Sequence, residues 1–471
     1  MEPDERPEPG HLLLRGEDRC GPPRSVLLEW PAASHLRHSC ERRPNATPDS
    51  ESHSSRSCAH AKRTNAVRRL DRCRPIARYP GDDEHHSVNQ FPSIPRCAER
   101  LARAVPELCV CGRRGKHWPH FCGVLPIIKQ GSPWLPLPGT GESDMCGTIP
   151  FDDIPQVYTP PSHFVFSANQ RVVEPDYPYY IGTSLDFFSD GYRANEIYRT
   201  LSRWDRLTVK DMQSLQNDTR DYLASLMVPK LLEAAKGQPL TSNEQSALSL
   251  LKSWDYRMDS DSPAAALWWT FWTQYLSDTF QPWWDHFKVP VEVDPSLKVN
   301  PNLASLNEDL EAWTLKDPNN AAFSLPNGTR RDANEVMRQS FHEAVGSLSA
   351  RLGAGPKARS WGLLHSRQFP SLLRVPELGY GPFPSGGDIW SVNAADSADG
   401  YLSTAGPSWR FIMDWGTKQG FGVYPGGQSE NPLSPWYANF ITAWWNGAYY
   451  PMQDFPTVDR SPQSVEWELE P

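Results

Sequence analysis

A change in composition near residue 122 is the feature that most constrains how this chain of 471 residues can fold. Residues 1–122 hold eight of the nine Cys and nine of the thirteen His, and they carry a formal charge of +5. The remaining residues hold one Cys and 17 of the 19 Trp, and they carry a formal charge of −14. A core requires regularly spaced apolar residues, which the first segment lacks. We therefore expect an atypical Arg-, Cys- and His-rich leader over 1–122, irregular or not native coding sequence, and a folded body over 123–471.

The leader contains one segment with metal-ligating residue types, CVCGRRGKHWPHFC. Zinc loops usually place two to four residues between paired cysteines, whereas this segment places one there. Arg-rich runs such as KRTNAVRRLDRCRPIAR suggest phosphate binding, but they lack interleaved aromatic residues and a helical period. We expect no nucleic-acid partner, and a zinc-binding leader stays an alternative whose ligands would come from Cys109, Cys111, His117, His120 and Cys122.

The chain shows neither a membrane-spanning segment nor a recognisable export signal. Its sequence contains no stretch of 18 apolar residues, which a spanning helix would need. The first twenty residues are acidic and lack the apolar centre of a signal peptide. We therefore expect no membrane partner, and the sequence leaves the location unassigned.

The body mixes segments of two kinds, which predicts an α+β fold. VLPIIKQ (124–130) and HFVFSAN (163–169) have the apolar and β-branched content of strands, and the segments around them are rich in Pro and Gly. Later segments have the period of amphipathic helices. We predict helices over 190–201, 207–232, 242–254, 263–280 and 336–353.

Several of these helices have recognisable first residues. Asp190 is the expected N-cap of the first helix, and Thr208 with Asp211 resembles a capping box. Ser262 followed by Pro263 is a strong start, because proline at the first helical position loses no hydrogen bond. The helix that follows is apolar nearly all round, so we expect it to be buried.

No residue pattern in the body reveals an active site by itself. The body holds no GxSxG motif, so a Ser-His-Asp hydrolase has little support. A lone His is more often structural than catalytic, and His365 is interpreted in this way. The glycine pairs at 386–387 and 426–427 lack a phosphate-loop frame, so we expect tight turns or close backbone approaches there. The four His of the body are His163, His286, His342 and His365.

Ten segments in order, from about Val124 to Met452, carry a family resemblance. They are WLPLPG, GTIPFDDIP, PSHFVFSANQRVV, DYPYYIG, GYRANEIYRTL, WDYRMDSDSPAAAL, WGLLHSRQF, GPFPSGGDIWSVNA, AGPSWRFIMDWG and GGQSENPLSPWYANFITAWWNGAYYPM. Together they resemble the C-terminal part of the beta chain in the penicillin acylase (penicillin amidase) family of N-terminal-nucleophile hydrolases. The resemblance implies part of a four-layer αββα sandwich with added helices.

The resemblance also implies a reaction, which is hydrolysis of an amide bond in an acylated amine such as a penicillin or an N-acyl homoserine lactone. In the family a serine at a new N-terminus attacks, and its own α-amino group accepts the proton. The resemblance places the oxyanion-stabilising Asn at Asn169 and a supporting Arg at Arg193. It further implies a self-cleaved two-chain heterodimer, frequent export and a possible calcium ion, whose ligands we do not place.

Three departures from the family pattern qualify this expectation. No Ser in the leader has the family's cleavage-site context, so we expect the chain as given to lack the nucleophile. Gln170 replaces a second Asn, and Ser371 replaces a second His. The alternative is a catalytically inactive, Trp-rich ligand-binding homologue.

Overall fold

The computed structural model describes residues 105–111, 117–122 and 125–452, apart from gaps at 134, 158–159, 175, 183–187, 205, 290–305, 354–358, 372 and 398–399. The chain divides into two compact units, Met1–Ser189 and Asp190–Pro471. No helix in the described ranges combines the length and apolar character that crossing a bilayer requires.

The described part of the first unit contains two antiparallel strand pairs. Strand β1 (Val105–Cys111) pairs with β2 (His117–Cys122), and β3 (Pro126–Ile128) pairs with β4 (Met145–Thr148). A single 3₁₀ turn follows at Phe151–Asp153. The small core of this unit consists of Leu125, Ile149, Ile154, Ile181 and Phe188.

Two expectations for this unit are wrong. Irregular structure was expected up to residue 122, but β1 and β2 form a hairpin, because their backbones pair directly from Leu108 with His120 to Cys111 with His117. Segment 163–169 is not a strand. His163 and Asn169 both have positive φ, which interrupts an extended chain.

The α-helices of the described residues lie in the second unit. Their bounds are α1 (Tyr192–Leu201), α2 (Val209–Gln216), α3 (Tyr222–Ala234), α4 (Ser242–Lys252), α5 (Pro263–Phe287), α6 (Asn307–Lys316), α7 (Ala333–Leu352) and α8 (Ile441–Trp445).

Two of the three helix starts that were predicted from capping residues are confirmed. Thr208 forms a full capping box with Asp211, and the Ser262 side chain accepts from the N–H of Ala265. Asp190 is not an N-cap, since α1 begins after Gly191 and has no side-chain cap. The predicted helix 207–232 is interrupted, and Asp221 caps its second half, α3.

Helix α5 forms the centre of the core, as its all-round apolar sequence predicts. Trp268, Phe271, Trp272 and Tyr275 have no exposed surface. Helix α7 packs along α5, and α3, α4 and α6 also contribute buried apolar residues to this core. The sequence analysis did not predict α6, which buries Leu310 completely.

Two three-stranded sheets complete the described part of the second unit. In one, β5 (Ser366–Phe369) lies between β6 (Tyr380–Pro384) and β7 (Leu402–Ser403). In the other, β9 (Gln419–Val423) lies between β8 (Arg410–Asp414) and β10 (Tyr450–Met452). Further 3₁₀ turns lie at Ala321–Phe323, Trp361–Leu363 and Pro376–Leu378.

Both glycines of the first pair, and Gly427 of the second, lie at close backbone approaches, as expected. A Cβ on Gly386 would lie 2.9 Å from the carbonyl oxygen of Met258. A Cβ on Gly427 would collide with the carbonyl oxygen of Trp436. Neither position has room for a side chain.

Candidate active site

Asn169 lies on a tightly held turn of the first unit. Its φ of 63° is in the left-handed region, which Asn tolerates better than most residues. The N–H of Ser189 donates to its carbonyl oxygen at 2.8 Å, and its own N–H donates to Ser167 Oγ at 3.4 Å. These contacts fix the backbone while the residue stays exposed.

Gln170, the residue that departs from the family pattern, supports the same turn. It is buried, and its Oε1 accepts from the N–H of Ala168 at 2.7 Å. Its backbone forms a parallel bridge with Ser189. The glutamine side chain thus stabilises the turn by accepting the Ala168 N–H. The arrangement can present an amide N–H of Asn169 as a neutral hydrogen-bond donor at a fixed place.

Arg193 lies in the first turn of α1, in the second unit, and is half-buried. Burial lowers the pKa of its guanidinium, and attraction to Asp190 and Asp396 opposes that effect. Asn169 belongs to the first unit and Arg193 to the second. Sequence reasoning found both residues only through the resemblance, because neither lies in a recognisable chemical motif.

Asp190 has a different contact from the one expected. Its Oδ2 accepts from the indole N–H of Trp390 at 3.1 Å. Burial raises the pKa of this carboxyl to about 6, and repulsion from Glu308 adds to the effect. Asp190 therefore connects the start of α1 to a buried tryptophan. Its carboxylate also attracts the guanidinium of Arg193.

His365 has the structural role that the sequence analysis expected. It is 1% exposed, its ring stacks on Trp361 with centroids 4.7 Å apart, and its Nδ1 lies 2.8 Å from the carbonyl oxygen of Ser385. Ser371, at the position of the missing second His, closes a turn with the backbone of Val375.

Two buried carboxyl groups in the second unit were missed by sequence reasoning. Asp221 caps α3 through the N–H of Ala224 at 3.0 Å and accepts from the Trp268 indole at 2.6 Å. Asp388 accepts from the N–H groups of Trp390 and Ser391. Burial raises the pKa of both, and their mutual repulsion raises that of Asp221 further. For Asp388, the available signal was the Ser three residues later in a segment rich in turn residues.

The described side chains do not form a metal centre. Among them, no group of three or more His, Cys, Asp or Glu is placed to hold an ion. Within DYPYYIG the hydroxyls of Tyr177 and Tyr179 both donate to Asp153, to its carbonyl and its carboxylate respectively. Calcium stays an expectation from the resemblance, and we derive no step through it. The side chains of the proposed zinc ligands at 109–122 lie outside the described residues.

Comparison with known proteins places this chain in a family. The penicillin amidase family matches residues 96–455, a range that includes the hairpin β1–β2. The acyl-homoserine lactone acylase QuiP of Pseudomonas aeruginosa is 27% identical over 393 residues, which are 76% of this chain and 45% of that protein. The penicillin acylase 2 proenzyme of Pseudomonas sp. strain SE83 is 27% identical over 352 residues, 70% of this chain and 41% of that protein.

The fold agrees with the same relationship. A thermostable penicillin G acylase from Alcaligenes faecalis superposes with a TM-score of 0.56 at 18% identity, covering 81% of this chain and 70% of that one. This likeness confirms the predicted α+β fold. The chain spans less than half the length of the two curated relatives. Because the family match extends over most of its residues, the chain belongs to the penicillin amidase family.

Proposed function

We propose that this chain takes part in the hydrolysis of an amide bond in an N-acylated small molecule, such as a penicillin or an N-acyl homoserine lactone. The family match and the names of the relatives, which are acylases, support this reaction. The observation that carries the proposal is the exposed Asn169 on its fixed left-handed turn.

The proposed chemistry begins with attack of a serine hydroxyl on the amide carbonyl. A bond forms between the serine oxygen and the carbonyl carbon, and the hydroxyl proton passes to the serine's own α-amino group. Negative charge then develops on the carbonyl oxygen, which the Asn169 amide stabilises by hydrogen bonding. The carbon–nitrogen bond breaks as the amine takes up the proton, and water releases the acid.

Arg193 is proposed as a positioning residue rather than a reacting one. It is half-buried, and its charge is balanced by Asp190 and Asp396, so it can hold neighbouring groups in place without changing its protonation state. Assembly with a second chain from the same precursor is part of the same proposal.

A turnover assay tests the proposed reaction. Because the chain spans less than half the length of its relatives, it is joined to the serine-bearing half of a family member. It is then assayed on chromogenic phenylacetyl and fatty-acyl amides. We expect steady release of the amine, and none from the matched protein in which the nucleophilic Ser is Ala. Saturable binding of the amides without turnover, in a joined protein that is correctly cleaved, would favour the inactive ligand-binding alternative.

A further inference from the structure

A cavity of about 270 Å³ in the second unit contains two buried arginines, Arg367 of β5 and Arg410 of β8. Each is 3% exposed. Its lining includes neither Asn169 nor Arg193. The cavity is therefore a feature that the proposed function does not use.

Each guanidinium group has a buried nitrogen donor without a hydrogen-bond partner. Arg367 donates through Nε to Ser385 Oγ at 3.3 Å and through Nη1 to the carbonyl of Ala394 at 3.0 Å, while its buried Nη2 has no partner. Arg410 donates from Nη1 to the carbonyl of Trp444 at 2.6 Å and from Nη2 to Asn393 Oδ1 at 2.8 Å, while its buried Nε has none. A buried donor without an acceptor is costly.

The two charges also lack a counterion. No carboxylate among the described residues forms an ion pair with either arginine. Burial lowers the pKa of each guanidinium to about 10, and repulsion from Arg410 adds to the effect at Arg367. Both arginines lie over the ring of Trp444, at 5.2 and 4.2 Å, which offsets part of the cost. The ring supplies no in-plane acceptor for the remaining N–H groups.

Two carboxylates line the same cavity, but neither neutralises the arginine pair. Asp259 is already engaged by Arg257 at 3.3 Å and by the hydroxyl of Thr219 at 2.5 Å. Asp261 is exposed, so solvent screens its charge. The unmatched positive charge therefore stays with the arginines.

We propose that this cavity is a binding site for the carboxylate group of a small molecule, held by Arg367 and Arg410 with Asn393 and Ser385 beside them. A carboxylate is planar and has two acceptor oxygens, which suit the N–H donors of a guanidinium group. It also supplies the negative charge that the pair lacks.

Acetate is the probe that tests the site in the full chain. The melting temperature is followed during a sodium acetate titration, with sodium chloride keeping the ionic strength constant. The dissociation constant is obtained from the way the stabilisation grows with the acetate concentration. Arg367→Lys keeps the charge but loses the planar fork, so we expect the dissociation constant to rise about tenfold or more. Arg330→Lys, at an exposed position, is the matched control and should leave it unchanged.

A second variant keeps both arginines in place. Asn393→Asp puts a carboxylate 2.8 Å from Arg410 Nη2, so the protein supplies its own anion and acetate should no longer bind measurably. This variant decides the question if Arg367→Lys fails to fold. The proposal is overturned if acetate stabilises the protein no more than chloride does. It is also overturned if Asn393→Asp binds acetate as tightly as the parent.

Discussion

The carboxylate of Asp190 accepts a hydrogen bond from the indole of Trp390, a residue 200 positions further along the chain, at 3.1 Å. Trp390 is 3% exposed and packs against Trp269 with ring centroids 5.2 Å apart. The contact thus connects the segment that carries Arg193 to the aromatic core of the second unit.

Replacing Asp190 tests this contact. In Asp190→Leu the buried indole N–H loses its acceptor, so we expect a loss of about 1–3 kcal/mol in the free energy of unfolding. Asp190→Asn keeps an oxygen at the same place and should lose clearly less. Urea denaturation at pH 7 measures both. Equal losses in the two variants would show that the hydrogen bond contributes nothing.

The glycine pair at 426–427 provides an internal comparison of two neighbouring positions. A Cβ at Gly427 would collide with the Trp436 backbone, whereas one at Gly426 would contact only the Tyr424 ring at 3.4 Å. We expect Gly427→Ala to destabilise the protein by about 2–3 kcal/mol or more, because the backbone must move, and Gly426→Ala to be tolerated. Thermal melting of both variants checks this. Similar melting temperatures for the two would contradict the close approach.

The buried carboxyl of Asp388 predicts a pH dependence of stability. Because burial raises its pKa to about 6, the folded protein holds this proton more tightly than the unfolded chain does. The resulting stabilisation is complete below a pH of about 4 and is lost as the pH rises through about 6.

Asp388→Asn isolates this effect. Asn keeps an oxygen for the N–H groups of Trp390 and Ser391 and carries no charge at any pH. As the pH rises from 4 to 6, the free energy of unfolding of Asp388→Asn should therefore fall less steeply than that of the parent. Asp221 still contributes a slope in both proteins. Urea denaturation across this range measures both slopes, with the exposed Asp255→Asn as control. Parallel slopes would rule out Asp388 as the titrating group.

The local parts of the fold were predictable from the sequence where short-range chemistry decides them. The Thr208 capping box and the Ser262–Pro263 start depend on residues within one helical turn, and both are confirmed. Asp190 was misassigned because its partner, Trp390, is distant in sequence. The irregular backbone of segment 163–169 was missed because the positive φ at Asn169 accompanies a hydrogen bond from Ser189, a residue outside the segment.

The site was less predictable than the fold. An N-terminal-nucleophile mechanism needs no Ser-His pair and no metal motif, so spacing alone reveals nothing at Asn169. The arginine cavity depends on Arg367 and Arg410, which lie in separate sheets, and neither occurs in a basic run. Such sites become visible only when the tertiary structure brings their residues together.

The central claim, that Asn169 stabilises the oxyanion, is tested most directly by removing its side chain without disturbing its backbone. Asn169→Gly suits this purpose, because glycine adopts the left-handed φ of 63° without strain, whereas Ala adds a conformational cost. The matched control is Asn327→Gly, which changes an exposed turn residue.

The measurement is kcat and KM for amide hydrolysis by the joined protein described above, with folding checked by melting temperature. We predict that Asn169→Gly lowers kcat by about 10²–10³, while KM changes little because the charge develops only in the transition state. Asn327→Gly should match the parent. A stable Asn169→Gly protein with kcat within about threefold of the parent would contradict the assignment, since an oxyanion donor contributes far more than that.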